Sequence, residues 1–171
     1  MVGFRVTKYD PSFRDAAGAY RRDEWTSVSD IGRSFDGKVL TSSTYVGTES
    51  AYVESVRLFM RECHQTVLRI VDLQLNDVEV ESMPALLAQQ VTNPLLELTN
   101  QAEVSGDDVD RIVRLALREN IWCRLEGTHG FYVHFGHDFY MYVGGTDLTG
   151  SPPLLPPEIF AEVYESPYIR E

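Results

Sequence analysis

Apolar residues recur along the chain in two rhythms. Over residues 49–63, Tyr52, Val56, Phe59, Met60 and Cys63 return every three or four positions, while Glu54, Arg57, Arg61 and Glu62 lie elsewhere on the same cylinder. That spacing predicts an amphipathic helix. Residues 66–75 are rich in β-branched side chains and predict a strand. Ser82-Met83-Pro84 opens a second helix, with serine as cap and proline in the first turn. It runs to about Val91 and breaks at Asn93-Pro94. Ser105-Gly106-Asp107-Asp108 caps a third helix, with a stripe of Val109, Ile112, Val113 and Ala116 and an end near Asn120. Asp107–Arg111 and Asp110–Arg114 are predicted i,i+4 pairs on it.

A period of two then takes over. Strands are predicted at 121–126, 131–135 and 139–143, joined by Thr128-His129-Gly130 and Gly136-His137-Asp138, which makes a meander. Before the first helix, Phe4-Arg5-Val6-Thr7-Lys8-Tyr9 alternates weakly as a short strand. Residues 10–47 read as a long loop, ordered because it spends Phe13, Tyr20, Trp25, Phe35 and Tyr45. Ser27 with Asp30 marks one capped turn inside it. After the meander, prolines between 152 and 157 give an extended tail, and Pro157 opens a last short helix at about 158–164. The fold class is therefore α+β: an antiparallel sheet with a C-terminal three-stranded meander packed against two or three amphipathic helices. One domain is expected over 1–171, divided into the loop region 1–47, a helix-strand-helix-helix block 48–120, the meander 121–145 and the proline-rich tail 146–171.

The meander has two faces. Ile121, Cys123, Leu125, Phe131, Val133, Phe135, Phe139, Met141 and Val143 form the core side. Trp122, Arg124, Glu126, Tyr132, His134, Tyr140 and Tyr142 form the other. Rings with a polar tip bury large area and still satisfy a hydrogen bond, so they anchor protein interfaces. Trp122, Tyr132, His134, Tyr140 and Tyr142 are the candidate partner-binding residues. The competing arrangement is a helix lying over this face.

Composition narrows the class. With 171 residues, 43% hydrophobic, the chain can bury a sizeable core and does not read as a disordered acidic tail. Its net charge is −11, which argues against a nucleic-acid module and sets the expectation of no nucleic-acid partner. The charge is uneven: residues 70–110 hold nine acids and neither lysine nor arginine, and residues 126–171 are net −6. Asp72, Asp77, Glu79 and Glu81 in the first stretch are candidate steering residues for a basic partner. The simpler reading is that a charge of this size keeps copies of the protein apart.

No apolar run approaches the ~18 residues of a membrane span, so no membrane partner is expected. Residues 1–8 lack the apolar core of a secretory signal, and a cytoplasmic location is expected. Cys63 and Cys123 fall at apolar positions and are read as buried thiols, not a disulfide.

Catalytic signatures are sparse. There is no His-Glu-x-x-His, no paired cysteine spacing, no nucleophile elbow and no phosphate-binding loop. No metal and no cofactor are expected. The enzymatic alternative is a small hydrolase or ribonuclease using His134 with nearby tyrosines. The acidic C-terminal quarter opposes a polyanionic substrate.

Two segments carry a resemblance. Asp23-Glu24-Trp25-Thr26-Ser27-Val28-Ser29-Asp30-Ile31-Gly32 is one. Gly130-Phe131-Tyr132-Val133-His134-Phe135-Gly136 with Phe139-Tyr140-Met141-Tyr142-Val143-Gly144 is the other. Both resemble immunity proteins encoded beside bacterial polymorphic or contact-dependent toxins. The resemblance implies a non-enzymatic protein that binds one cognate toxin domain and occludes its active site. Nuclease toxins are commonly basic, which an acidic surface suits.

Overall fold

Ile121, Cys123 and Leu125 are buried, while Trp122, Arg124 and Glu126 between them are only partly covered. That alternation follows from the period-two geometry of a strand, and it sets the inward face of the sheet. The computed structural model describes residues 1–76 and 98–169. The helix predicted at 82–91, with its break at Asn93-Pro94, lies outside the described residues.

In chain order the described residues form β1 (Val2–Thr7), single 3-10 turns at Pro11–Phe13 and Val28–Asp30, and a short ribbon of β2 (Ser34–Phe35) and β3 (Lys38–Val39). There follow α1 (Ser42–Glu62), β4 (Val67–Leu75), β5 (Glu103–Ser105), α2 (Asp107–Leu117), β6 (Ile121–Glu126), β7 (Tyr132–Phe135), β8 (Met141–Gly145) and β9 (Phe160–Val163). Seven strands make one antiparallel sheet in the order β5-β4-β6-β7-β8-β1-β9. The fold is α+β, and β6, β7 and β8 are hydrogen-bonded neighbours in sequence order.

One sheet face supplies Phe4, Val6, Leu68, Ile70, Leu125, Val133 and Val143 to a single apolar cluster. The helices complete it with Tyr52, Val56 and Phe59 from α1, and Ile112 and Val113 from α2. Cys63 and Cys123 are buried, unbridged thiols. Burial pushes the Cys63 thiol up to about 11 and the Cys123 thiol up to about 12.

Tyr20 and Trp25 pin the loop before α1, whereas Phe13 is exposed and Tyr45 belongs to α1 itself. Trp25 meets Phe139 edge-on at 4.9 Å and Tyr45 at 5.5 Å, and Tyr20 lies 4.8 Å from Tyr9. The capping box of Ser27 and Asp30 is present.

Several local expectations are corrected. α1 begins at Ser42, not 49, because the Thr41 hydroxyl caps the Thr44 N–H at 3.1 Å. Its first turns, Ser-Ser-Thr-Tyr-Val-Gly-Thr, are weak helix formers held by the burial of Tyr45. The predicted pairs within α2 give way to tertiary ones. Asp107 and Asp110 pair with Arg57 of α1, and Arg114 pairs with Glu49. The predicted helix at 158–164 is the edge strand β9, whose register on β1 sets Glu162 opposite Arg5. A free sheet edge offers a ladder that a one-turn helix cannot match. The third meander strand starts at Met141, because Asp138 and Phe139 adopt left-handed φ of 56° and 61° in the preceding turn.

Candidate functional site

The outward face of the sheet is built in rows fixed by register. Val71, Arg124, His134, Tyr142, Arg5 and Glu162 lie opposite one another on successive strands. The next row holds Arg69, Glu126, Tyr132, Gly144 and Gly3. The two glycines are structural. A Cβ on Gly144 would clash with Cζ, Cε1 and the hydroxyl of Tyr132, and one on Gly3 would sit 2.6 Å from the Tyr132 hydroxyl. They leave a slot in which Tyr132 lies flat, stacked on His134 with ring centroids 4.3 Å apart.

What covers this face is a strap formed by residues 164–169 of the same chain, and not a helix. The Tyr164 N–H donates to the Gly3 carbonyl at 2.9 Å, which ties the segment to β1. Ser166 is buried, and its Oγ lies 2.8 Å from His134 Nδ1. Tyr168 sets its ring edge-on to Trp122, His134 and Tyr142 at 5.8–6.2 Å. Sequence reasoning missed Ser166, Tyr168, Gly3 and Gly144. Ser166-Pro167-Tyr168 has no periodicity, and a glycine that makes room for a ring two strands away leaves no local trace.

The predicted anchors are therefore corrected one by one. Tyr132 is 5% exposed, His134 3% and Tyr142 9%, so these three are covered by the strap and do not meet solvent as an open surface. Burial, and secondarily the charge of Arg124, pulls the His134 imidazole down to about 4, so it is held neutral. Burial raises the Tyr132 and Tyr142 hydroxyls. Trp122 is partly buried, and its Nε1 donates to the Phe135 carbonyl at 3.0 Å. Tyr140 is partly buried away from this cluster, where its hydroxyl accepts from Arg14 at 3.0 Å.

Among the predicted acids, Asp72 sits at an irregularity of β4 with φ of 54° and turns its carboxylate to Arg124 at 2.6 Å. It is committed to an internal ion pair. Asp77, Glu79 and Glu81 lie outside the described residues. Among the described residues no group of three or more His, Cys, Asp or Glu could hold a metal ion. No helix among them is long and apolar enough to cross a membrane.

The cations follow one rule. Among the described residues, every arginine and lysine except Lys38 and Arg69 lies within 4.0 Å of a carboxylate. Arg118 and Arg114 converge on fully buried Glu49 at 2.6 Å each, which joins α2 to α1. Lys8 is held between the Tyr9 and Trp25 rings at 4.2 Å, beside Glu24 at 3.2 Å, and burial lowers its ammonium to about 8. Exposed Asp23, Glu62, Glu103, Glu119, Glu158 and Glu165 stand outside these pairs. Among the described residues the positive charge is thus mostly paired within the chain, and the exposed charges outside these pairs are mainly carboxylates. No family model, curated protein or solved structure matches the chain.

Proposed function

We propose that this chain is an acidic, non-enzymatic binding protein of the immunity type. It acts in the cytoplasm and neutralises a cognate basic toxin domain, a nuclease, by occluding its active site. The observation that carries this reading is the disposition of charge. Among the described residues all cations but Lys38 and Arg69 lie against the chain's own carboxylates, some buried and some at the surface, and further exposed carboxylates stand outside these pairs. Such an exterior raises the encounter rate with a cationic protein and disfavours anionic ones.

The buried state of Tyr132, His134 and Tyr142 moves the contact away from the centre of the sheet. The steering acids Asp77, Glu79 and Glu81 keep their part in the proposal. The partly exposed rings Trp122 and Tyr140 remain anchors at two separate places. The test is co-expression with the product of the adjacent reading frame. Co-purification of a stoichiometric complex, with loss of that protein's nuclease activity, supports the reading. Failure to bind, with both proteins folded, overturns it.

A further inference from the structure

A cleft of about 530 Å³ opens where β4, β6 and the β7–β8 turn meet the strap. Trp122 and Tyr168 form an aromatic corner in it, with rings 6.0 Å apart at 66°. Gln74 and Asn76 contribute amides to the wall, and Glu119 stands at the rim. No lysine or arginine among the described residues lines it.

Glu119 is the informative residue. The chain leaves α2 through a Schellman turn: the Glu119 N–H donates to the Ala116 carbonyl, and the Asn120 N–H to the Leu115 carbonyl, both at 3.0 Å. The position that closes such a turn is left-handed and favours glycine, yet here a glutamate takes it with φ of 61°. Asn76 Nδ2 donates to the Glu119 carbonyl at 2.7 Å and fixes the backbone from the β4 side. The carboxylate is left exposed and outside every ion pair among the described residues. A glycine would serve the turn better, whereas the glutamate brings a negative charge to the cleft.

We infer that this cleft is a receptor for an arginine side chain of a basic protein partner. Trp122 and Tyr168 receive the guanidinium plane, and Glu119 takes its charge. A planar guanidinium stacks on aromatic faces and donates to a carboxylate at once, which an ammonium does less well. The cleft names the chemistry of one contact and rests on the proposed reading only in that the partner is a basic protein.

The test uses the full chain and two small probes, Nα-acetyl-argininamide and its neutral citrulline counterpart, followed by NMR at the Trp122 indole N–H. Saturable shifts with the arginine probe and none with citrulline are expected. Glu119→Gly is expected to weaken binding at least fivefold while raising the melting temperature, because glycine relieves the turn. A residue serving only the fold would not couple those two changes. Equal responses to both probes, no response to either, or unchanged affinity in Glu119→Gly overturns the inference. If the toxin complex fails while the arginine probe binds, the immunity reading falls and the cleft stands. The reverse outcome removes the cleft alone.

Discussion

Ser166 and His134, 32 residues apart, share a 2.8 Å contact between Oγ and Nδ1 that closes the strap over the sheet. The same Ser166 Oγ accepts the Tyr168 N–H at 3.2 Å, so one hydroxyl both orients the imidazole and shapes the segment that buries it. Charging His134 would leave a cation beneath the strap and beside Arg124. Its imidazole is pulled from 6.5 to about 4, first by burial and then by Arg124. Between those values the unfolded chain holds a proton that the native protein refuses, so stability falls as pH drops from about 6.5 toward 4. Above 6.5 both states are neutral and the contribution is constant. The full loss is about 3 kcal/mol. Urea midpoints measured at pH 7, 5.5 and 4.5 should fall in step, and His134→Gln should flatten that part of the slope. An unchanged slope in the variant would show that His134 is not the group responsible.

The Tyr132 slot depends on Gly144. Alanine there would drive a methyl group against Cζ, Cε1 and the hydroxyl of Tyr132, a ring already held by its stack on His134. Overpacking of this kind costs about 1–3 kcal/mol. Thermal unfolding of Gly144→Ala should show the loss, and a Gly144→Ala/Tyr132→Val double variant should lose less than the two single changes added together. Strict additivity would mean the two residues do not compete for the same space.

Glu49 is the buried member of an ion triad whose guanidinium groups come from α2, with Arg118 1% and Arg114 26% exposed. Glu49→Gln keeps the shape but leaves two guanidinium groups facing a neutral amide. Removing one partner of a buried pair costs about 3–5 kcal/mol. Arg114→Met, at the wetter end of the triad, should cost much less, about 1 kcal/mol or under. Equilibrium urea unfolding of the two variants decides it. Equal losses would mean the burial of Glu49 carries no special penalty.

The legible parts of the fold were those written locally. The alternation of Ile121, Cys123 and Leu125, the stripe of Val109, Ile112 and Val113, and the Ser27–Asp30 cap each follow from neighbours a few residues away. The misread parts were decided at long range. β9 is a strand because β1 has a free edge more than a hundred and fifty residues earlier, with Arg5 waiting for Glu162. Asp107 and Asp110 choose Arg57 over their helical neighbours for the same reason. The alternation puts Cys123, Leu125, Val133, Met141 and Val143 on the core side, but which face meets water is not written in it. Both faces of β7 and β8 are buried, the second by a strap whose own residues show no pattern. The candidate site shares this limit: Trp122 was visible as a ring on the outer face, and Glu119 was not visible as a charged residue holding a glycine's place.

Association with the basic partner should depend steeply on salt, through the rate of encounter more than the rate of escape. Exposed charges act over a Debye length of about 10 Å at 0.1 M salt and about 3 Å at 1 M. Raising the salt across that range should slow association on the order of tenfold or more, while dissociation changes little. Asp77, Glu79 and Glu81 belong to the stretch 70–110, which carries nine acids without lysine or arginine. Replacing all three by their amides should flatten the salt dependence. Asp72→Asn is the informative contrast, because Asp72 already holds Arg124 at 2.6 Å. Its loss should lower stability and leave the salt slope nearly as it was. Stopped-flow association at three salt concentrations separates the two effects. A rate constant indifferent to salt would remove electrostatic steering from the proposal, whatever the final affinity.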